Sequence, residues 1–127
     1  MVKINCSKDA FNEIKSEFDD FQEKVYIIGV DTNNQFKYKK LINMGDVNVS
    51  IISAKVIFRD LLVNKCFRFF LFHNHPSRNV KPSIDDIKAT ETLKKQSEIM
   101  DIQFLDHIIF SDKEFYSMFD NSEGGFC

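Results

Sequence analysis

The stretch Phe67-Arg68-Phe69-Phe70-Leu71-Phe72-His73-Asn74-His75-Pro76 joins an almost wholly apolar run to a pair of histidines. A run this apolar is typical of a strand that is covered on both faces, so we expect it to lie in the centre of a sheet. The strand delivers His73 and His75 at its carboxyl end, which is where open α/β sheets bind their ligands.

Helices and strands alternate on both sides of this stretch. The predicted helices cover residues 7–22, 54–64 and 83–100, and the first two are expected to be capped by Ser7 and Ser53. The predicted strands cover residues 25–30, 35–42, 67–72 and 104–110, with a short closing element at 115–119. This alternation predicts a layered α/β domain in which helices flank a mixed β-sheet.

The sequence also gives predictions for a turn, for the apolar side of the last helix and for the C-terminal tail. Residues 43–46 are expected to form a turn after the first hairpin. The last predicted helix has only a thin apolar stripe, made of Ile87, Leu93 and Met100. The C-terminal tail from Ser122 is expected to be loose.

Composition limits the kind of protein that the sequence can encode. The 127 residues suit a single domain over 1–127, and 43% hydrophobic residues with 14 Phe can form a sizeable core. The net charge is -2 without a run of like charges, which disfavours nucleic acid and an anionic membrane as partners. The apolar runs are too short to span a bilayer, so no membrane association is expected.

The cysteines and the N-terminus favour a cytoplasmic protein. Cys6, Cys66 and Cys127 are odd in number, widely spaced and without a CxxC pair, as expected of a protein in a reducing compartment. The N-terminus lacks the apolar segment of a signal peptide. Cysteine ligation of zinc is a weaker alternative.

The spacing of His73, His75 and Asp86 predicts a metal site. Residues i and i+2 of an extended segment point the same way, so both histidines can face one ion while Asn74 faces elsewhere. Asp86, in the first turn of the following helix, can add a carboxylate oxygen. Two nitrogens and one oxygen at ~2.0–2.2 Å suit Zn²⁺ with one position open for water. Bound there, the water would have its pKa lowered toward ~7.

Each part of this pattern also has an ordinary structural explanation. Ser83-x-x-Asp86 after a proline is typical of a capping box, which only starts a helix. A His-x-His pair can be two exposed loop histidines. Their coincidence at a strand end, before a helix with a carboxylate in its first turn, favours the metal site. Capping and metal binding are compatible, because a helix N-terminus also favours negative charge.

These residues resemble a known family. His73-x-His75-Pro76 followed by Ser83-x-x-Asp86 resembles the JAMM motif of the MPN/JAB metalloproteases. His-Asn-His-Pro-Ser and the later Leu105-Asp106-His107-Ile108-Ile109 are similar, more closely, to the JAB domain of bacterial RadC proteins. The resemblance, from about residue 23 to 119, implies an MPN/JAB-like fold of cytidine-deaminase-like architecture. It also implies a zinc metallopeptidase that cleaves an amide or isopeptide bond in a peptide or protein substrate.

The resemblance also implies two catalytic residues. The family uses a glutamate upstream of the motif as general acid and base, and Glu23, at the start of the strand that leads to Asp31, is the match. The alternative is that Glu23 is a solvated residue at a helix end; Glu13 and Glu17 lack the motif context. Ser83 would donate a hydrogen bond to the tetrahedral intermediate.

The chain departs from the RadC pattern in places. Arg78 replaces a usual glycine, so we expect the loop to need no positive φ there or to take another path, and Ala54-Lys55-Val56 replaces Pro-Arg-Glu. The chain has no room for the N-terminal helix-hairpin-helix region, so we expect its DNA contacts to be absent. Arg78 and Lys81 are expected to be solvated charges, with binding of a substrate carboxylate as the alternative. His107 is expected on a sheet face or in the core, with support of the metal ligands as its alternative role.

Two hypotheses of different classes follow. The first is a zinc-dependent hydrolase of the JAMM/RadC type, in which Glu23 and Ser83 serve a metal held by His73, His75 and Asp86. The second is a RadC-like DNA-repair-associated or mobile-element accessory module that binds metal and a partner without peptidase turnover. Neither hypothesis names a substrate or an oligomeric state.

Overall fold

Within residues 2–45, 54–120 and 122–123, which the computed structural model describes, six strands form one sheet. They are β1 Glu23–Val30, β2 Phe36–Gly45, β3 Arg68–Asn74, β4 Gln103–Phe110, β5 Phe115–Ser117 and β6 Ser122–Glu123. Their spatial order is β2-β1-β3-β4-β5-β6. β3 and β4 are parallel and the other neighbouring pairs are antiparallel. The predictions of a mixed sheet and of an interior strand that carries the histidines are confirmed.

Helices cover both faces of the sheet. They are α1 Ser7–Ile14, α2 Ala54–Val63 and α3 Ile84–Met100. α1 packs against one face, where its Phe11 joins a core cluster with Tyr26. α2 and α3 pack against the other face, where Leu61 and Leu93 join a cluster with Val25. No helix of the described ranges is both long and apolar enough to cross a membrane.

Strand alternation in β3 decides which face receives the histidine. Phe70 and Phe72 point into the α1 cluster, whereas Phe69 and Leu71 point into the α2–α3 cluster. Because side chains alternate along a strand, His73 follows Leu71 onto the α2–α3 face. It is only 1% exposed there, although it is close to the end of the strand.

The prediction of a helix over 7–22 is correct at its first residue and wrong at its end, and the prediction of Ser7 as the N-cap is wrong. The N-cap is Cys6, and the α-helix ends at Ile14 and continues as a single 3₁₀ turn, Lys15–Glu17. The backbone of Phe18 is then extended, with ψ 138°. The chain leaves the helix early because it must enter β1 and pair with two strands, which outweighs the local apolar periodicity.

Two other predicted segments differ from the structure because strand pairing extends into them. Residues 43–45, predicted as a turn, belong to β2, because β1 begins at Glu23 and pairs as far as Gly45. The tail predicted to be loose contributes β6, which pairs with β5. Asp46, the predicted cap Ser53 and residues 124–127 lie outside the described residues.

The inner face of α3 is polar rather than apolar. Of the three residues predicted as its apolar stripe only Leu93 is buried, whereas Ile87 and Met100 are about two-fifths exposed. The other buried positions are Asp86, Thr90 and Ser97. A hydrophobic pattern could not reveal this face, because two of its polar side chains contact histidines of the sheet instead of apolar side chains.

A buried carboxylate joins β4 to β5. Asp106 accepts hydrogen bonds from the Ser117 hydroxyl at 2.5 Å, from its neighbour's backbone N–H at 2.8 Å and from the Phe119 N–H at 3.1 Å. Burial raises the pKa of Asp106 to about 6, although these hydrogen bonds act in the opposite direction. The carboxylate is therefore ionised at neutral pH at a cost in stability.

We predict that this cost can be measured by comparing the native protein with Asp106→Asn. The folded-state pKa lies above the unfolded value of 3.8, so the contribution of Asp106 is fully present below pH 3.8 and is lost as the pH rises through about 6. Between pH 4 and pH 8 the native protein should lose roughly 2–3 kcal/mol of unfolding free energy relative to Asp106→Asn. Urea unfolding at several pH values checks this, and a difference that does not change with pH would contradict it.

Candidate metal centre

The end of β3 and the start of α3 bring three candidate ligands together. His73 is the next-to-last residue of β3, and His75 directly follows the strand. Asp86 lies in the first turn of α3. The Nε2 atoms of His73 and His75 are 3.0 Å apart. Asp86 places Oδ1 3.2 Å from Nε2 of His73 and Oδ2 3.3 Å from Nε2 of His75. Candidate ligand atoms of all three residues lie within 4.8 Å of one another.

These separations fit a small cation. Ligands about 2.05 Å from a tetrahedral metal are about 3.3 Å apart, which is close to the observed spacing. Two imidazole nitrogens and a carboxylate oxygen form a donor set that divalent transition metals such as zinc accept. The group can therefore hold a metal ion with small movements of the side chains.

The hydrogen bonds of His75 support the same conclusion. Its Nδ1 lies 2.7 Å from the backbone carbonyl oxygen of Asn79, and only a protonated Nδ1 can donate to that oxygen. Neutral His75 then has its lone pair on Nε2, which faces Asp86 and His73. Converging lone pairs and a carboxylate repel one another unless a proton or a cation lies among them.

The group is closed on the sheet side and accessible on the loop side. His73 and the Asp86 side chain are almost completely buried, while the side chain of His75 is 18% exposed. The exposed part of the group is therefore at His75. Structural zinc sites have four protein ligands, whereas this group brings together three candidate ligands among the described residues.

The electrostatics of the group favour an ionised Asp86. Burial would raise the pKa of Asp86, but the close contacts with the His73 and His75 rings and the hydrogen bond from the Ser83 N–H hold that pKa well below its usual value. For His75, burial acts to lower the pKa. The hydrogen bonds to Asp86 and Asn79 and the charges of Asp86 and Glu23 outweigh burial, so the pKa of His75 is raised.

The capping box predicted at the start of α3 is present and belongs to the same group. The Asp86 N–H donates to Ser83 Oγ at 3.0 Å, and the Ser83 N–H donates to Asp86 Oδ2 at 2.8 Å. The capping role that the sequence predicted for Ser83 and Asp86 therefore coexists with the metal-binding geometry. The alternative of two exposed loop histidines is wrong, because His73 lies in β3 and is 1% exposed. The cap fixes the carboxylate against the two histidines and leaves the exposed Ser83 hydroxyl free to donate its hydrogen.

Glu23 lies beside the group, as the register of the sheet requires. Val25 pairs with His73 in the antiparallel ladder, so Glu23, two residues earlier, lies on the same face near His75. Its charge contributes to the raised pKa of His75. Glu17, one of the other candidates, is bound by Lys39 Nζ at 3.0 Å on a different part of the surface.

Asn74 points away from the group, as predicted, and has a role that the sequence did not suggest. Its side chain is completely buried and accepts a hydrogen bond from the Lys24 N–H at 2.6 Å. Its amide donates to the backbone oxygens of Asp19 at 2.6 Å and Gln22 at 3.1 Å. Asn74 therefore fixes the segment that leads into Glu23 against the strand that carries the histidines.

His107 lies behind His73 and does not join the candidate ligands. Its ring is fully buried, with Nε2 2.8 Å from Nδ1 of His73 and Nδ1 2.5 Å from Oγ1 of Thr90. Burial lowers the pKa of His107 well below its usual value. The alternation in β4 predicted its place on a sheet face, whereas its contacts depend on pairing with β3 and on packing of α3.

The loop after His75 corrects an expectation about Arg78. Its φ is 69°, so the expectation that the loop needs no positive φ at this position is wrong. The guanidinium lies 3.3 Å from an oxygen of Asp112 and 3.7 Å from one of Asp20, and it stacks over the ring of Phe18 at 4.9 Å. Arg78 is thus half exposed but paired, and it points toward carboxylates of other loops.

The chain matches a known protein family over almost its whole length. A family profile described as the RadC-like JAB domain matches residues 4–124. The chain belongs to the RadC-like JAB family. The resemblance noted in the sequence is therefore confirmed, as is the MPN/JAB-like α/β fold.

Relatives of this RadC-like JAB domain occur in bacteria and archaea. A UPF0758 protein of Clostridium perfringens is 36% identical over 118 residues, which cover 92% of this chain and 52% of that protein. UPF0758 proteins of Chlorobium chlorochromatii (34% over 116 residues) and Methanosarcina mazei (31% over 119) cover 91% and 93% of this chain and 52% of each relative. The chain thus spans about half the length of the curated relatives it matches, and their names state no activity.

We predict that Asn74→Ala destabilises the domain by at least about 2 kcal/mol, because it leaves the Lys24 N–H and two backbone carbonyls without their partner. Urea unfolding measures the loss. Asn33→Ala, at an exposed asparagine of the turn between β1 and β2, is the matched control and should cost less than about 1 kcal/mol. Equal losses in the two variants would contradict the role assigned to Asn74.

Proposed function

We propose that this RadC-like JAB domain is a zinc-dependent hydrolase that acts in the cytoplasm and cleaves an amide or isopeptide bond in a peptide or protein substrate. One observation carries the proposal. His73, His75 and Asp86 converge at the carboxyl end of β3, beside the N-terminus of α3, and the side chain of His75 is 18% exposed. Family membership supports it, since the JAMM motif is the family's metal motif.

His73, His75 and Asp86 would hold the zinc ion in this proposal. When bound, zinc would supply a water of lowered pKa and a Lewis-acidic contact for the substrate carbonyl. The protein contributes rigidity, because the capping box holds Asp86 and the Asn79 carbonyl holds His75. Preset ligands reduce the ordering that metal binding would otherwise require.

Glu23 is the proposed general acid and base. It is partly buried on the same face as the histidines and acts electrostatically on His75. A carboxylate there can take a proton from the attacking water and later give it to the leaving amine. The hydrogen bonds of Asn74 hold the backbone next to Glu23, so the carboxylate approaches the reacting atoms from a fixed direction.

Ser83 is the proposed oxyanion donor. Its oxygen accepts the Asp86 N–H, which uses a lone pair and leaves the hydroxyl hydrogen for a substrate oxygen. The N-terminus of α3 adds partial positive charge at the same place. Both features would stabilise negative charge that develops on the carbonyl oxygen.

We predict that changing both His73 and His75 to Ala abolishes zinc binding while the fold persists. The loss of two of three ligands leaves one carboxylate, which cannot hold the ion alone. Zinc content after incubation and desalting measures the effect, with circular dichroism as the check on folding. Lys81→Ala, an exposed charge of the same loop, is the control and should retain zinc. Full zinc content in the double variant would refute the metal centre.

We predict that Glu23→Gln retains zinc and lowers turnover by about 10²–10⁴-fold, because the amide cannot shuttle the proton. A panel of peptides and isopeptide-linked proteins, tested with the zinc-loaded native protein, identifies the substrate for this comparison. Glu17→Gln is the control, since its carboxylate pairs with Lys39 away from the group. Full activity of Glu23→Gln on a substrate that the native protein cleaves would assign the proton transfer to another group.

A zinc-loaded native protein that cleaves nothing in the panel but binds a member tightly would favour the alternative function, a module that binds metal and a partner without turnover. A low-salt gel shift with duplex DNA separates a nucleic-acid partner from a protein partner. Strong, salt-sensitive binding would support the DNA-associated alternative, although the net charge of -2 favours a protein.

A further inference from the structure

All three histidines of the chain belong to one series of contacts. His73 contacts His107, and the second nitrogen of His107 contacts the Thr90 hydroxyl at 2.5 Å. The same hydroxyl donates to the backbone carbonyl oxygen of Asp86, one turn earlier in α3, at 2.8 Å. The series therefore begins at one candidate ligand and ends at the backbone of another.

The hydrogen atoms in this series can be assigned from simple chemistry. Thr90 has one hydroxyl hydrogen and gives it to the Asp86 carbonyl, so its oxygen can only accept from Nδ1–H of His107. A neutral imidazole has one N–H, so Nε2 of His107 is an acceptor. It accepts Nδ1–H of His73, which leaves the lone pair of His73 on Nε2, facing Asp86 and His75.

The opposite order of hydrogens would prevent metal binding. If the Thr90 hydroxyl donated to His107, then Nε2 of His107 would carry the hydrogen and donate to His73. The hydrogen of His73 would then lie on Nε2, where the metal has to bind. The direction of the hydrogen bonds through the two buried residues thus determines whether His73 can act as a ligand.

We propose that His107 and Thr90 form a relay that holds His73 in the tautomer required for metal binding. Both are positioning residues, since neither contacts the metal position itself. The inference rests on the proposed metal centre and adds to it two residues that lie outside the JAMM motif. Partners of this kind behind metal-bound histidines are typically worth 10–100-fold in metal affinity.

The critical test compares two substitutions of Thr90 that differ in one group. Thr90→Val keeps the shape and removes the hydroxyl, so nothing selects the productive tautomer of His107. Thr90→Ser keeps a hydroxyl that can donate to the backbone carbonyl oxygen of Asp86. We expect Zn²⁺ affinity, measured by competition with a chromophoric chelator, to fall about tenfold or more in Thr90→Val and to return within about threefold of native in Thr90→Ser.

A second pair of variants tests the acceptor. His107→Gln offers an amide oxygen to Nδ1–H of His73, whereas His107→Phe fills the space without an acceptor. Zn²⁺ affinity should be higher in His107→Gln than in His107→Phe. Thermal unfolding in the presence of a chelator shows whether each variant is folded before metal is added. If a His107 variant does not fold, the comparison of Thr90→Val with Thr90→Ser still tests the proposal.

The native protein itself provides a spectroscopic signature. Its three histidines all lie in this group, so ¹⁵N–¹H correlation spectra of the imidazoles contain no other ring. In the Zn²⁺-loaded protein the relay requires a hydrogen on Nδ1 of His107 and none on its Nε2. A hydrogen on Nε2 of His107 would overturn the relay. The relay would also be overturned if the folded Thr90→Val and His107→Phe variants bound Zn²⁺ as tightly as the native protein. A native protein that binds no Zn²⁺ would instead overturn the metal centre, and the relay with it.

Discussion

The capping box between Ser83 and Asp86, at the start of α3, is the central interaction of the candidate metal centre. Ser83 and Asp86 exchange two hydrogen bonds there, so the carboxylate that begins the helix is also the carboxylate that faces the histidines. An ionised carboxylate that is almost completely buried is stable only when it is surrounded by donors or by a cation. The helix cap, the helix dipole and the two imidazoles supply that environment together.

The register of the sheet adds the groups around this core. β3 lies between β1 and β4, which places Glu23 beside one side of the histidines and His107 beside the other. Asn74, between the two histidines, points to the opposite face and binds the backbone before β1. Adjacent residues of one strand therefore hold two different parts of the site, because side chains alternate across the sheet.

The polar inner face of α3 lowers the stability of the domain, and the candidate metal centre explains part of this polarity. Asp86 and Thr90 occupy positions that would bury apolar side chains in an ordinary amphipathic helix, and their contacts to histidines replace that packing. Ser97 is buried on the same face, and its hydroxyl has no hydrogen-bond partner in the described part of the chain. The weak apolar periodicity of this helix is a consequence of the centre that it serves.

Features that depend on near neighbours in the chain were predictable from the amino-acid sequence. The apolar run that becomes β3, the His-x-His spacing and the Ser83–Asp86 cap all follow from geometry within a few residues. The end of α1, the hydrogen bonds of Asn74 and the contact between His107 and His73 were not predictable in this way. Those outcomes depend on strand pairing and helix packing between residues far apart in the chain, such as the 34 positions that separate the two histidines, and no local pattern encodes such contacts.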